Sequence, residues 1–282
     1  MLKLKRKTWI WIGAGVGSGL VTAGIILLLI LLLPKGETAQ MPTKPTYAPT
    51  VATEPIIPEN PLLDAEFTYQ NGYLTCMNQT SVLGIDVSSH QEQIDWAQVR
   101  SAGVEFAILR IGYRGTDLGG IYEDEWFLRN YEGAKNAGLR VGAYFFSQAI
   151  TPQEAREEAA FALALLEGRP LDMPLVYDWE DTGPDSRVAG MDPDTLTHCT
   201  LAFCQAVEAA GQTPMVYFNR DQSRYLLHLE ALTDYPFWLA MYSDEMTYPH
   251  WVDMWQYSCT GSVPGIEGDV DINLYFPDLK DP

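Results

Sequence analysis

The hydrophobic pattern divides the chain into three stretches. An uncharged, strongly apolar run occupies residues 8–33, behind a short basic segment at residues 1–7. Proline and threonine then recur through residues 34–61 without an apolar period. From residue 81 onward, short apolar runs alternate with longer amphipathic stretches. The pattern predicts a membrane helix, an extended spacer and one large folded domain that occupies residues 81–282.

The apolar run at residues 8–33 predicts an uncleaved signal anchor. As a helix it would span roughly 39 Å at about 1.5 Å per residue, enough to cross a hydrocarbon core of roughly 30 Å. It exceeds the apolar region of a cleavable signal, and no small-residue cleavage site follows closely. The basic residues 1–7 would stay in the cytoplasm. We expect a single-pass protein of the cell membrane with its main domain outside; a cleaved signal is the alternative.

The spacer at residues 34–61 predicts an extended segment that holds the folded domain away from the membrane. Proline restricts the backbone and removes a hydrogen-bond donor, so a helix or sheet is disfavoured. Its prolines after the first lie at positions 42, 45, 49, 55, 58 and 61. Residues 62–80 form a lead-in to which the pattern assigns no element.

The domain from residue 81 shows strand and helix signals in alternation. The apolar runs predict strands at Val82–Val87, Phe106–Ile111, Val141–Phe146, Leu175–Trp179, Met215–Phe218, Phe237–Met241 and Asp253–Tyr257. The amphipathic stretches predict helices near residues 95–102, 125–136, 152–166 and 192–210. Such alternation is typical of an α/β fold with a parallel sheet wrapped by helices. The last strands lack full helices between them, which predicts a barrel that is irregular near its end.

Charge and cysteine usage exclude two classes of function. The chain has 18 basic and 37 acidic residues and a net charge of −19. So acidic a protein repels a phosphate backbone, which argues against a nucleic-acid partner. Cys76, Cys199, Cys204 and Cys259 form no CxxC pair, and no histidine lies at ligand spacing, so no metal site is expected. A Cys76–Cys259 disulfide and buried free thiols both fit the spacing.

The strand that ends at Trp179 carries the strongest chemical signal. Asp178 and Glu180 lie two residues apart, so they face the same side of a strand. They stand at its carboxyl end, where catalytic side chains of parallel α/β folds cluster. Desolvation and mutual repulsion would keep one carboxyl protonated near neutral pH, which suits a general acid. Capping of the following loop is the competing interpretation.

Two further acids lie at comparable positions. Asp86 comes near the end of the first predicted strand, and Asp271 lies between Val270 and Ile272 near the C-terminus. Each could cap a turn if taken separately. Four carboxylates at strand ends of one barrel instead predict a common site.

Ordered motifs from Leu83 to Leu274 carry a family resemblance. They are Gly84–Ser88, Ile94–Trp96, Phe106–Tyr113, Val141–Phe145, Pro174–Glu180, Trp238–Ala240, Trp255–Tyr257 and Val270–Asn273. Together they resemble glycoside hydrolase family 25, the Chalaropsis-type lysozymes. The resemblance implies a flattened, irregular (β/α)8-like barrel that acts without a metal or cofactor as a monomeric catalytic domain. Its expected substrate is peptidoglycan glycan, cut at the β-1,4 bond between N-acetylmuramic acid and N-acetylglucosamine.

The resemblance also implies site residues by position. The general acid is Glu180, and its acidic partners are Asp86, Asp178 and Asp271. The expected sugar-contacting residues are Tyr113, Tyr144, Tyr217, Tyr242, Trp255 and Gln256. Trp255 stands out as a groove residue because it lies at a strand end beside Gln256, whereas Trp96 and Trp179 are assigned to the core. His90, which replaces an aromatic residue common in relatives, is expected at the rim.

The stereochemical route stays open at the level of sequence. The Cα atoms of Asp178 and Glu180 would be roughly 6.6 Å apart on a strand. Carboxyl separations of roughly 5–5.5 Å favour retention and 6.5–9.5 Å inversion, and side-chain rotamers exceed that gap. A third route, which we favour, uses the substrate's 2-acetamido group as nucleophile with Asp178 orienting it.

Two other functions compete with hydrolysis of peptidoglycan. One is a catalytically weak module that binds cell-wall glycan; a cluster of intact acids argues against it. The other is hydrolysis of chitin, whose enzymes place several aspartates along one strand before the glutamate. Positions 174 and 176 are Pro and Val here, which disfavours that pattern.

Overall fold

The computed structural model describes residues 57–279. The predicted basic segment and signal anchor at residues 1–33 lie outside that range, as does most of the spacer. Between residues 57 and 279, no helix is long and apolar enough to cross a membrane.

Eleven strands and five α-helices make up the described part of the chain. The strands are β1 (Phe67–Gln70), β2 (Tyr73–Cys76), β3 (Val82–Val87), β4 (Phe106–Arg114), β5 (Ile121–Glu123), β6 (Arg140–Ser147), β7 (Leu175–Trp179), β8 (Pro214–Asn219), β9 (Phe237–Ala240), β10 (Met254–Gly261) and β11 (Val270–Tyr275). The helices are α1 (Trp96–Ser101), α2 (Phe127–Asn136), α3 (Pro152–Leu166), α4 (Pro193–Ala209) and α5 (Arg220–Tyr225). Short 3-10 turns occupy Ser89–Gln91 and Leu229–Ala231.

Eight of the strands close into a barrel. The order around the ring is β3, β11, β10, β9, β8, β7, β6 and β4, and β4 pairs back with β3. Neighbours are parallel except that β11 runs antiparallel to both β10 and β3. Strand β5 lies outside the ring, antiparallel to β4. The α/β barrel predicted from the alternation is confirmed, and its irregularity lies in β11.

The pattern located most elements well and missed the short β1, β2, β5 and α5 as well as strand β11. Helix α3 and strand β7 have the predicted bounds, because a threonine cap and Pro152 mark the start of α3 clearly. Strand β11 was not predicted, because Asp271 and Asn273, which face the barrel mouth, interrupt its apolar residues, and it lacks the continuous apolar run that marked the other strands. The lead-in also differs from expectation, since it forms the antiparallel hairpin β1–β2.

The end of the predicted spacer packs on the domain. The Asn60 side chain donates to the Tyr248 carbonyl at 2.9 Å, and its backbone N–H donates to the Pro249 carbonyl at 2.9 Å. Leu62 is fully buried. The folded part of the chain therefore begins inside the predicted spacer rather than at residue 81, because these contacts supply the backbone partners that a free spacer lacks.

Two apolar cores lie on the two sides of the barrel wall. The larger one fills the space outside the strands and contains Trp96 and Trp179, which confirms their assignment to packing. The inner one includes Phe106, Ile108 and Trp238. Gly84 leaves room for the Phe106 ring there, since a Cβ at this position would stand 2.2 Å from it. The inner core forms a solid floor beneath the barrel mouth.

The cysteines are thiols in this structure. Cys76, Cys199 and Cys204 are buried and Cys259 is exposed, and all four are free. Of the two alternatives compatible with the spacing, the structure has the free thiols.

Candidate active site

Four carboxylates meet at one mouth of the barrel. Asp86 lies near the end of β3, Asp178 near the end of β7, and Glu180 directly after β7. Asp271 is instead the second residue of β11. Because β11 runs antiparallel, its beginning lies at the mouth where the parallel strands end, and the strand register places Asp271 opposite Asp86.

A pocket of about 230 Å³ contains these carboxylates. Of the residues expected to contact sugar, it is also lined by Tyr144, Tyr217, Tyr242 and Gln256. His90 is exposed and lines the same pocket, in agreement with its expected place at the rim. The Tyr217 and Tyr242 hydroxyls donate to the Gln256 side-chain oxygen at 3.1 and 3.3 Å. The pocket thus joins the acids to a polar aromatic wall.

The prediction that Trp255 lines the groove is wrong. Its side chain is fully buried, packs edge-to-face on Phe67 at 5.2 Å, and donates to the Met241 carbonyl at 2.7 Å. Consecutive residues of a strand face opposite sides. Because Gln256 points into the pocket, Trp255 points outward into the larger core.

Tyr113 also lies away from the pocket lining. It is partly exposed on β4, with the Arg110 guanidinium 5.3 Å above its ring. Arg110 itself lines the pocket. Tyr113 therefore does not line the central pocket, and any contact between Tyr113 and substrate would lie outside it.

Asp86 and Asp271 form a hydrogen-bonded carboxyl pair. Burial raises the pKa of Asp86 to about 6, against the opposing effect of donors from Asn273 (2.8 Å) and Gln256 (2.9 Å). Burial and the neighbouring Asp86 charge raise the pKa of Asp271 to about 8. Asp271 consequently carries the proton and donates to Asp86 at neutral pH. The Trp238 indole N–H orients Asn273 by donating to its side-chain oxygen at 2.8 Å.

Asp178 and Glu180 form the second pair. Burial, followed by the charges of Glu180 and Asp86, raises the pKa of Asp178 well above its usual range. Burial also raises the pKa of Glu180, although a hydrogen bond with the Tyr217 hydroxyl opposes the shift. Asp178 Oδ1 is buried and has no hydrogen-bond partner among residues 57–279. The pair can therefore hold a proton for donation and still offer a free acceptor.

Comparison with known proteins identifies the family. Residues 85–266 match the sequence profile of glycosyl hydrolases family 25. The chain belongs to this family. Lysozyme M1 of Streptomyces globisporus is 30% identical over 210 residues, which cover 70% of this chain and 68% of that protein.

Solved structures agree with that assignment. A bacterial lysozyme from Streptomyces coelicolor aligns with a TM-score of 0.54 at 26% identity, covering 70% of this chain and 93% of that one. The modular autolysin LytC from Streptococcus pneumoniae shares the fold, with a TM-score of 0.64 at 24% identity. The alignment covers 74% of this chain and 52% of the autolysin, about half its length. The chain is a glycoside hydrolase of the lysozyme type.

Arg110 is a residue of this family 25 site that the sequence analysis did not assign. Its Nε donates to Asp124 at 2.7 Å and its Nη2 to Ser89 at 2.8 Å. Its positive charge opposes the rise in the pKa of Asp178. The available signal was the position of Arg110 within the apolar run Phe106–Ile111, because a charge on a buried strand needs a partner.

Two glutamines hold the backbone that carries Glu180. Glu180 lies past the end of β7, beyond the β-ladder bonds that fix the strand. The Gln148 side chain donates to the Glu180 carbonyl, and the Gln222 side chain donates to the Trp179 carbonyl at 2.7 Å. Both glutamines are buried. No sequence pattern marks them, because each comes from a different part of the chain.

We expect Gln148→Met to lower kcat about tenfold while KM changes little. The Glu180 carbonyl would lose its hydrogen-bond donor, and a buried carbonyl without a donor costs about 1–3 kcal/mol. The backbone would therefore move, and Glu180 would shift away from the bond that it protonates. Steady-state kinetics on peptidoglycan would measure this change. Gln98→Met on the exposed surface of α1 is the matched control. An unchanged kcat in a folded Gln148→Met protein would contradict the positioning role.

We expect Asp271→Asn to flatten the pH dependence of stability. An unfolded aspartate titrates near about pH 4, whereas Asp271 in the fold titrates at about 8. The folded state binds this proton more tightly, so its stabilising contribution is complete below about pH 4 and is lost as pH rises towards the folded pKa. An asparagine keeps the donor to Asp86 and removes the titration.

Urea unfolding at several values between pH 4 and 8 would test this expectation. The free energy of unfolding should fall less steeply with pH in Asp271→Asn than in the wild type. Asp269→Asn, at an exposed neighbouring position, should follow the wild-type slope. Parallel curves for all three proteins would show that Asp271 titrates normally.

Proposed function

We propose that this hydrolase cleaves peptidoglycan at the β-1,4 bond between N-acetylmuramic acid and N-acetylglucosamine, with Glu180 as general acid. The observation that carries the proposal is the cluster of four buried or half-buried carboxylates, in which desolvation raises the pKa of Glu180. Relatives named lysozyme and N,O-diacetylmuramidase support the choice of substrate. The autolysin LytC, of similar fold, was solved with a synthetic peptidoglycan ligand.

Glu180 also stands at a suitable place for a bond between two sugars. It lines both the central pocket and a larger adjoining groove, and Tyr217 and Tyr242 do the same. A sugar in the pocket and its neighbour in the groove would therefore place their shared glycosidic oxygen beside Glu180. A general acid must lie within hydrogen-bond reach of the atom that it protonates.

In the first step, the acetamido oxygen of the pocket sugar attacks the anomeric carbon as the glycosidic bond breaks. Glu180 gives its proton to the leaving oxygen, and a cyclic oxazolinium ion forms. Asp178 Oδ1, a buried acceptor without a partner among the described residues, receives the acetamido N–H. A water molecule then attacks the anomeric carbon and opens the oxazolinium ring, and Glu180 takes up a proton from this water. The negative charge of Asp86 offsets the positive charge on the sugar.

We expect Glu180→Gln to lower the release of reducing ends from peptidoglycan by at least about a hundredfold, because general acid catalysis contributes about 10²–10⁴. The full-length protein would be assayed beside Glu132→Gln, an exposed glutamate on α2 that should leave activity unchanged. Equal release by Glu180→Gln and the wild type would contradict the assignment. Binding to peptidoglycan without release by the wild type would favour the wall-binding module.

The wild-type reaction also tests the route. Two inversions at the anomeric carbon leave the product with net retention, so the first product observed by NMR should be the β-anomer. An α-anomer at early times would exclude acetamido participation and leave direct displacement by water.

We further propose that residues 8–33 tether the enzyme to the cell membrane with the catalytic domain outside, as a monomer directed at the wall of its own cell. The basic segment 1–7 and the Pro/Thr-rich spacer support this arrangement.

The tether predicts that the full-length protein fractionates with membranes and that deletion of residues 1–33 releases it. An immunoblot of membrane and soluble fractions would measure the distribution. A deletion of residues 35–48 within the spacer should leave the protein in the membrane fraction. Mature protein that begins near residue 40 in the culture supernatant would show a cleaved signal instead.

A further inference from the structure

The β4–β5 hairpin presents an exposed aromatic surface beside the active site. Tyr113 and Tyr122 are directly paired across the two strands, with ring centroids 5.4 Å apart and planes inclined by 30°. Tyr122 is 52% exposed. We call these two residues the tyrosine shelf. Flat apolar faces with a polar tip are well suited to stack on sugar rings.

The tyrosine shelf continues the wall of the central pocket outward. Arg110 lines the pocket with Asp178, and its guanidinium lies 5.3 Å from the Tyr113 ring centroid. Tyr113 follows Arg110 by three residues, about 10 Å further along the strand. The side chains of Arg110, Tyr113 and Tyr122 therefore form a continuous row, which leads from the central pocket to the edge of the domain.

The tyrosine shelf and the larger groove lie on opposite sides of the barrel mouth. The groove, of about 1140 Å³, is lined by residues of β8, β9 and α5, among them Asn219, Ala240 and Arg224. Strand β4 is four places from β9 in either direction around the ring. A linear polymer that enters through the groove and passes Glu180 in the pocket can thus leave over the shelf.

The hairpin is held rigidly before any ligand binds. The buried Arg114 donates to the Gly119 carbonyl at 2.9 Å and pairs with the buried Glu158 at 2.6 Å. The Tyr122 hydroxyl lies so close to Gly120 that a Cβ there would stand 2.6 Å from it. A surface that is ordered in advance loses less entropy on binding.

We propose that the tyrosine shelf is a distal subsite for the glycan strand, where a sugar several units from the cleaved bond stacks on Tyr122. This inference rests on the proposed hydrolysis of an N-acetylated β-1,4 glycan. The shelf binds long strands and takes no part in the chemical step, so it confers a preference for polymeric over short substrates.

The test compares two substrate lengths in the full-length protein. For Tyr122→Ala, kcat/KM on long, peptide-free glycan strands should fall about tenfold, equivalent to about 1.4 kcal/mol, because the sugar loses the aromatic face on which it stacks. On a tetrasaccharide of the same repeat, kcat/KM should stay unchanged. Tyr122→Phe, which keeps the ring, should retain the preference for long strands. Tyr69→Ala is the matched control, because Tyr69 is 53% exposed on the separate β1–β2 hairpin.

An equal loss on both substrates, or no loss on either, would overturn the distal subsite. Binding provides a readout that does not depend on hydrolysis. The affinity of Glu180→Gln for long strands should fall about tenfold when Tyr122→Ala is added, and an unchanged affinity would also overturn the proposal. A wild type that binds strands through Tyr122 but releases no reducing ends would contradict only the proposed hydrolysis.

Discussion

The pairing of β11 with β3 is the interaction on which the rest of the site depends. It joins the last strand of the chain to the first strand of the ring, and its antiparallel direction brings the beginning of β11 to the mouth where the parallel strands end. Asp271 thereby meets Asp86, and Asn273, two residues on, donates to the same carboxylate. A parallel last strand would place these residues at the opposite end of the barrel. The strand pairing that completes the barrel therefore also brings the carboxylates of the active site together.

Gathering four acids in one buried mouth opposes folding, because desolvation and like-charge repulsion both disfavour ionisation. The protein offsets this in three ways. Protons are shared, with Asp271 donating to Asp86; neutral amides of Asn273 and Gln256 stabilise the remaining charge; and Arg110 supplies a positive charge at the wall. The packed inner core fills the barrel below the cluster, so the carboxylates line a pocket at the mouth, where substrate can reach groups whose pKa values burial has raised.

The surroundings of the carboxylates divide into parts that position and parts that bind. Gln148 and Gln222 fix the backbone around Glu180, where β-ladder bonds have ended. The groove, the central pocket and the tyrosine shelf together span the mouth from one side of the ring to the other. A barrel of this kind supports many activities, and function depends on the residues at its mouth. Membership of family 25 and the carboxylate geometry agree on glycan hydrolysis.

The α/β alternation, the bounds of α3 and β7, and the four acids of the site could be predicted from the amino-acid sequence, because local period, caps and motif order record these features directly. The direction of β11, the glutamine contacts to the backbone around Glu180 and the burial of Trp255 follow instead from contacts between residues distant in sequence. Residues 254–257 of β10 are buried on both faces, so period-two alternation cannot tell which side faces the pocket. Which side chains of β10 face the barrel interior is fixed only when the ring closes, and the strand pairings that close it join residues distant in sequence.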